Sequence, residues 1–80
     1  MEHKIIVAGI GPGNPDYIVP AARRAIEEAA VLVGGSRALA DFAREGQETM
    51  TVRSDIPAVL AFVRDRLKTT DVVVMVSGDP

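Results

Sequence analysis

The sequence predicts an α/β protein, an open parallel sheet with helices on its faces in the order β-α-β-α-β-α-β. Two observations lead there. Short runs of Ile and Val recur at Lys4–Ala8, Val31–Val33 and Val72–Val76, without the polar alternation of a strand that wets one face. Between them lie segments whose apolar residues repeat at helical spacing.

The elements follow in chain order. Lys4–Ala8 reads as a buried strand ending at Gly9. Gly9–Tyr17 holds three glycines and two prolines and is a loop. Pro20 suits the first turn of a helix, where its missing N–H costs nothing. Ala22, Ala25, Ile26 and Ala29 form that helix's inner face, and Arg23, Arg24, Glu27 and Glu28 its outer one. Val31–Val33 is a second strand, cut by Gly34-Gly35. Ser36 is an N-cap candidate for a short helix through Ala43, with Leu39, Phe42 and Ala43 inward and Gly46 as its stop. Thr49–Arg53 reads as a third strand. Asp55 caps the next helix and Pro57 lies in its first turn, with Ile56, Val59, Leu60, Val63 and Leu67 as its apolar stripe. Val72–Val76 carries no polar residue, the mark of a central parallel strand.

Composition bounds what this fold can do. Of 80 residues, 48% are hydrophobic and 25% charged, which is too apolar for a disordered tail. A chain of this size buries only about 60–65% of its unfolded surface, so its core is marginal. Zero cysteines remove disulfide support, and one histidine, His3, excludes a protein-only zinc site. The balance of nine basic and eleven acidic residues lacks the basic stripe of a nucleic-acid binder. Tyr17, Phe42 and Phe62 are too few aromatics for base stacking. No apolar run approaches the ~20 residues of a membrane helix. The short Ile5–Ala8 patch is not a signal peptide, so a cytoplasmic location is expected.

Ligands of open parallel sheets bind beyond the carboxyl ends of the strands. Two loops sit there: Gly9-Ile-Gly-Pro-Gly-Asn-Pro-Asp and Ser77-Gly-Asp-Pro. The first is not a P-loop, because Gly13 is followed by Asn14 and Pro15 instead of Lys and Ser or Thr. It also fails the dinucleotide spacing: Asn14 stands where the third glycine belongs, and Gly34-Gly35 stands where the ribose-binding acid belongs.

The run from Val7 through the Gly-Pro-Gly-Asn-Pro-Asp loop, the segment Val31-Leu-Val-Gly-Gly-Ser-Arg and the close Val76-Ser-Gly-Asp-Pro resemble the tetrapyrrole (corrin/porphyrin) methylase family. The Val-Gly-Gly after strand two and the Ser-Gly-Asp-Pro are most similar to its precorrin C-5 methyltransferase branch. The resemblance covers Lys4 to Pro80. It implies an S-adenosylmethionine (SAM)-dependent C-methyltransferase of cobalamin biosynthesis, acting on a precorrin or cobalt-precorrin. It further implies a two-domain protein in which residues 1–80 form the N-terminal domain, ending before its last strand, with the second domain absent. Such a piece is expected to be inactive alone, and the family's sheet order, with strand one between strand four and the absent strand five, implies that Lys4–Ala8 is left as an unprotected apolar edge. A homodimer and a C-15 methylase/decarboxylase, fused or separate, are the implied partners. The alternatives are methylation of another substrate, such as diphthamide-type transfer, and a non-catalytic binding domain.

Carried over by position, Pro12 lies against SAM, and Ser77, Gly78 and Asp79 contact it largely through backbone. Gly9, Gly11, Gly13 and Asp16 line the trough for the macrocycle. Arg37 is the expected partner of a substrate carboxylate, ahead of Arg23 and Arg24. Gly35 stands where some relatives carry a candidate basic aspartate, so no catalytic residue is assigned. Val19 replaces the threonine common before the helix proline. His3 is expected to be exposed.

Overall fold

The computed structural model describes residues 3–11 and 18–76. Seven elements alternate: β1 (Ile5–Gly9), α1 (Pro20–Glu28), β2 (Val31–Gly34), α2 (Ser36–Phe42), β3 (Glu48–Thr51), α3 (Ile56–Arg66) and β4 (Val72–Val76). The strands form one parallel sheet in the order β1-β4-β2-β3. The chain steps from β1 across to β2 and on to β3, then reverses to insert β4 between β1 and β2. Crossovers of one hand must then place α1 and α2 on one face and α3 on the other.

The core divides along those faces. Ala8, Leu32, Val73 and Met75 meet Ile26 of α1 and Phe42 of α2. Val31, Val33 and Val72 meet Val59 and Val63 of α3. Leu32 and Val72 are fully enclosed, as befits the two central strands. Burying a side chain of this kind contributes about 1.5–3 kcal/mol.

Pro20 opens α1 as expected, and Val19 at its N-cap makes no side-chain hydrogen bond. Asp55 caps α3, its carboxylate accepting from the Ala58 N–H at 3.3 Å. The α2 boundaries differ from expectation. Gly35, not Ser36, is the N-cap, and no side chain caps this helix. Its last turn closes at Ala43, so Gly46 serves the following turn, where its φ of +92° suits a residue without Cβ. The β3 strand starts one residue earlier than the propensity of Thr49–Arg53 indicates and stops at Thr51. Pairing with Val31–Gly34 sets those limits.

Two burial readings taken from local composition differ. β1 lies at the edge of the described sheet beside β4, as the family's sheet order implies for this stretch, and Ile5 and Val7 are 49% and 65% exposed. On α3, Val59 and Val63 are buried, but Ile56 and Leu60 are 48% and 62% exposed. The register explains both. Ile5 pairs with Val72 and Val7 with Val74, so they point to the α3 face. That helix packs over β2 and β3 and leaves the β1 side uncovered. His3 is half-buried instead of exposed, 3.5 Å from Asp71, whose carboxylate also accepts from the Lys4 N–H.

Candidate functional site at the carboxyl edge of the sheet

β1 and β4 are parallel neighbours, and open α/β sheets bind ligands beyond the carboxyl ends of such strands. The structure brings the two candidate loops together there. Gly9 pairs with Val76, and the Ile10 N–H donates to the Val76 carbonyl at 2.9 Å. The glycine loop and the chain leaving β4 thus start side by side. Ile10 and Ile18 are 4% and 8% exposed and both enter the α1/α2 core. They anchor the loop at both ends. The sequence reading passed over them, although an isoleucine at each end of a Gly/Pro-rich stretch is the signal that could have found them.

Gly9, Gly11 and Gly35 surround this edge, and a Cβ on any of them would meet nothing within 4 Å. Gly11 also has φ +67°, a conformation that excludes most other residues. Among the described residues no side chain fills the space beside these three glycines, which suits a ligand held through main-chain groups. Such a surface fits the adenosyl and macrocyclic ligands that the resemblance implies. Pro12, Gly13, Asp16, Ser77, Gly78 and Asp79 lie outside the described residues.

Gly34 differs from its glycine neighbour. A Cβ there would sit 2.8 Å from Met75 Cε, 3.4 Å from Met75 Cβ and 3.6 Å from Ala38 Cβ. The first glycine of the pair is thus a packing requirement between β2, β4 and α2, and the second is the open one. The Val52 N–H donates to the Gly34 carbonyl at 2.8 Å, which draws the β3–α3 connection to the same edge.

Arg37 lies exposed in the first turn of α2, one turn from this opening. Arg23 is half-buried and Arg24 exposed, both in the first half of α1. Every ion pair among the described residues lies at the opposite, amino edge: His3–Asp71, Arg44–Glu27, Arg66–Glu48, Arg66–Asp65 and Lys68–Asp65. There Arg66 donates to both Glu48 oxygens, at 2.7 and 2.6 Å, and stands 4.4 Å over the Phe62 ring. Those hydrogen bonds, ahead of the Coulombic attraction, hold the Glu48 carboxyl below its ordinary range and push Arg66 up. Gln47 works beside them, its amide donating to the Ile26 and Ala29 carbonyls at 2.7 and 3.0 Å to close the end of α1. The amino edge is thus neutralised and structural.

Comparisons with known proteins agree with this geometry. Residues 4–80 match the family described as Tetrapyrrole (Corrin/Porphyrin) Methylases. The chain is 41% identical over 76 residues to a Salmonella typhimurium protein named cobalt-precorrin-7 C(5)-methyltransferase, covering 95% of this chain and 37% of that protein. It is 28% identical over 78 residues to a Methanocaldococcus jannaschii protein named probable cobalt-precorrin-7 C(5)-methyltransferase. The crystal structure of the methyltransferase CobJ superposes with a TM-score of 0.77 at 32% identity, over 98% of this chain and 34% of that one. The chain thus spans little more than a third of the length of these relatives. The parallel sheet, its superposition on a methyltransferase of this kind and a family match over residues 4–80 together make this chain a member of the tetrapyrrole methylase family.

Proposed function

We propose that this chain is the N-terminal domain of a two-domain, SAM-dependent methyltransferase that methylates a precorrin or cobalt-precorrin at C-5 in cobalamin biosynthesis. The observation that carries the reading is the 41% identity, over 95% of the chain, to a protein named for that reaction. The open glycine edge supports it, because this chemistry needs little from side chains. SAM supplies an already activated methyl group, and the macrocycle carbon is an electron-rich nucleophile. The protein's part is to align carbon, methyl and sulfur and to exclude water. Gly9 and Gly11 would form the floor of the macrocycle trough with Gly13 and Asp16. Pro12, Ser77, Gly78 and Asp79 would hold SAM, and Arg37 would receive a substrate carboxylate. The reading carries with it a homodimer and a cytoplasmic location; among the described residues no helix is long and apolar enough to cross a membrane.

The test is calorimetric titration of SAM into residues 1–80 and into the full-length protein, followed by transfer of labelled methyl to cobalt-precorrin-7. Binding and transfer are expected for the full-length protein alone. Micromolar SAM binding to residues 1–80 would overturn the two-domain site, and failure of the full-length protein to transfer the methyl would overturn the substrate.

A further inference from the structure

We infer that Arg53 binds a carboxylate of the substrate and, with Arg37, forms a cationic rim on the side of the trough away from β1. The inference rests on the function proposed above and adds a residue to it. Arg53 is exposed in the connection from β3 to α3. The Val52 N–H bond to Gly34 holds that connection at the carboxyl edge, next to the Gly35 turn that begins α2.

Three observations single out this pair. Among the described residues, neither Arg37 nor Arg53 has a carboxylate within ion-pair distance. The nearby Asp55 is committed to capping α3. Arg37 also stands in the first turn of a helix, where the macrodipole disfavours a cation, so it is placed against local electrostatics. A residue that breaks a local rule with no structural compensation points to function.

The reach also matches. β1 and β3 are three strand spacings apart, about 14 Å. A macrocycle seated beyond the carboxyl ends of β1 and β4 would extend its peripheral acid groups over β2 and β3. Guanidinium groups suit such carboxylates because they bind them through two parallel hydrogen bonds.

The test uses the full-length protein, cobalt-precorrin-7 as substrate, and Arg53→Gln, Arg53→Lys and the exposed helix control Arg64→Gln. Loss of one charge-assisted contact should raise KM for cobalt-precorrin-7 about tenfold in Arg53→Gln, with kcat and SAM affinity unchanged. Arg53→Lys should recover part of that loss, and Arg64→Gln should match the parent. The Arg53→Gln effect should shrink with added salt. An unchanged KM in Arg53→Gln, with normal turnover and SAM binding, overturns the role of Arg53 and leaves the proposed function standing. A parallel fall in SAM affinity and kcat would mark Arg53 as structural and also overturn it. If the full-length parent neither binds SAM nor transfers methyl, the functional reading fails first.

Discussion

Gly34 lies against Met75 so closely that a single added methyl would come within 2.8 Å of Met75 Cε. Gly34 ends β2 and Met75 is the penultimate residue of β4, so the contact ties the Gly-Gly turn to the strand that leads into Ser77-Gly-Asp-Pro. The obstacle is the flexible end of a methionine, which can move at modest cost. Gly34→Ala should therefore destabilise the full-length protein by about 1 kcal/mol, and the branched Gly34→Val by about 3 kcal/mol. Met75→Ala opens the space, so the double variant with Gly34→Ala should cost less than the sum of the singles. Additive losses in denaturant titrations would mean that the two residues do not share that space.

The Asp55 cap is testable in the same way. Its carboxylate accepts the Ala58 N–H at the start of α3. Asp55→Ala should cost about 1 kcal/mol, while Asp55→Asn should cost only a few tenths. Equal losses in thermal melts would show that the hydrogen bond is not what Asp55 contributes.

Arg66 and Glu48 set a pH dependence. The folded Glu48 carboxyl is held below its unfolded value by the Arg66 hydrogen bonds. Its stabilising contribution is thus present above the unfolded value and is lost as pH falls through the depressed folded value. Glu48→Gln should lower the melting temperature slightly near neutrality and match the parent in strong acid. Both groups meet solvent, so the difference is small and shrinks with salt. A Glu48→Gln deficit that persists unchanged in acid would assign the loss to packing.

Residues 1–80 should self-associate. β1 ends the sheet, and Ile5 and Val7 expose apolar surface on the uncovered part of the α3 face. Such an edge is a template for strand pairing with another chain. Light scattering should show mass rising with concentration, and Val7→Lys should suppress the rise. A strict monomer at high concentration would count against this.

The proposed SAM role of Asp79 is testable in the full-length protein. Its placement before Pro80 restricts it to extended conformations, and its carboxylate suits a turn-fixing hydrogen bond. With such a bond worth about 1 kcal/mol, Asp79→Asn should bind SAM roughly fivefold better than Asp79→Ala. Equal weakening by calorimetry would mean that the charge itself is used.

The number, type and order of the elements were legible in the amino-acid sequence, because a strand or helix records its own burial in local periodicity. Pro20, Asp55 and Pro57 marked starts that the structure keeps. The sequence also marks Gly9 and Gly11 at the end of β1, and the structure places both at the carboxyl edge, Gly11 with φ +67°. The position of each element among the others was not legible. Lys4–Ala8 has the composition of a central strand, yet the sheet order makes it an edge. Ile56 and Leu60 share the apolar period of Val59 and Val63, yet α3 settles over β2 and β3 and turns them outward. The same order brings Gly9 beside Val76 and Gly34 beside Met75, pairs separated by most of the chain. Local periodicity carries no record of such distant pairings, which the crossovers and the packing of helices on the sheet decide together.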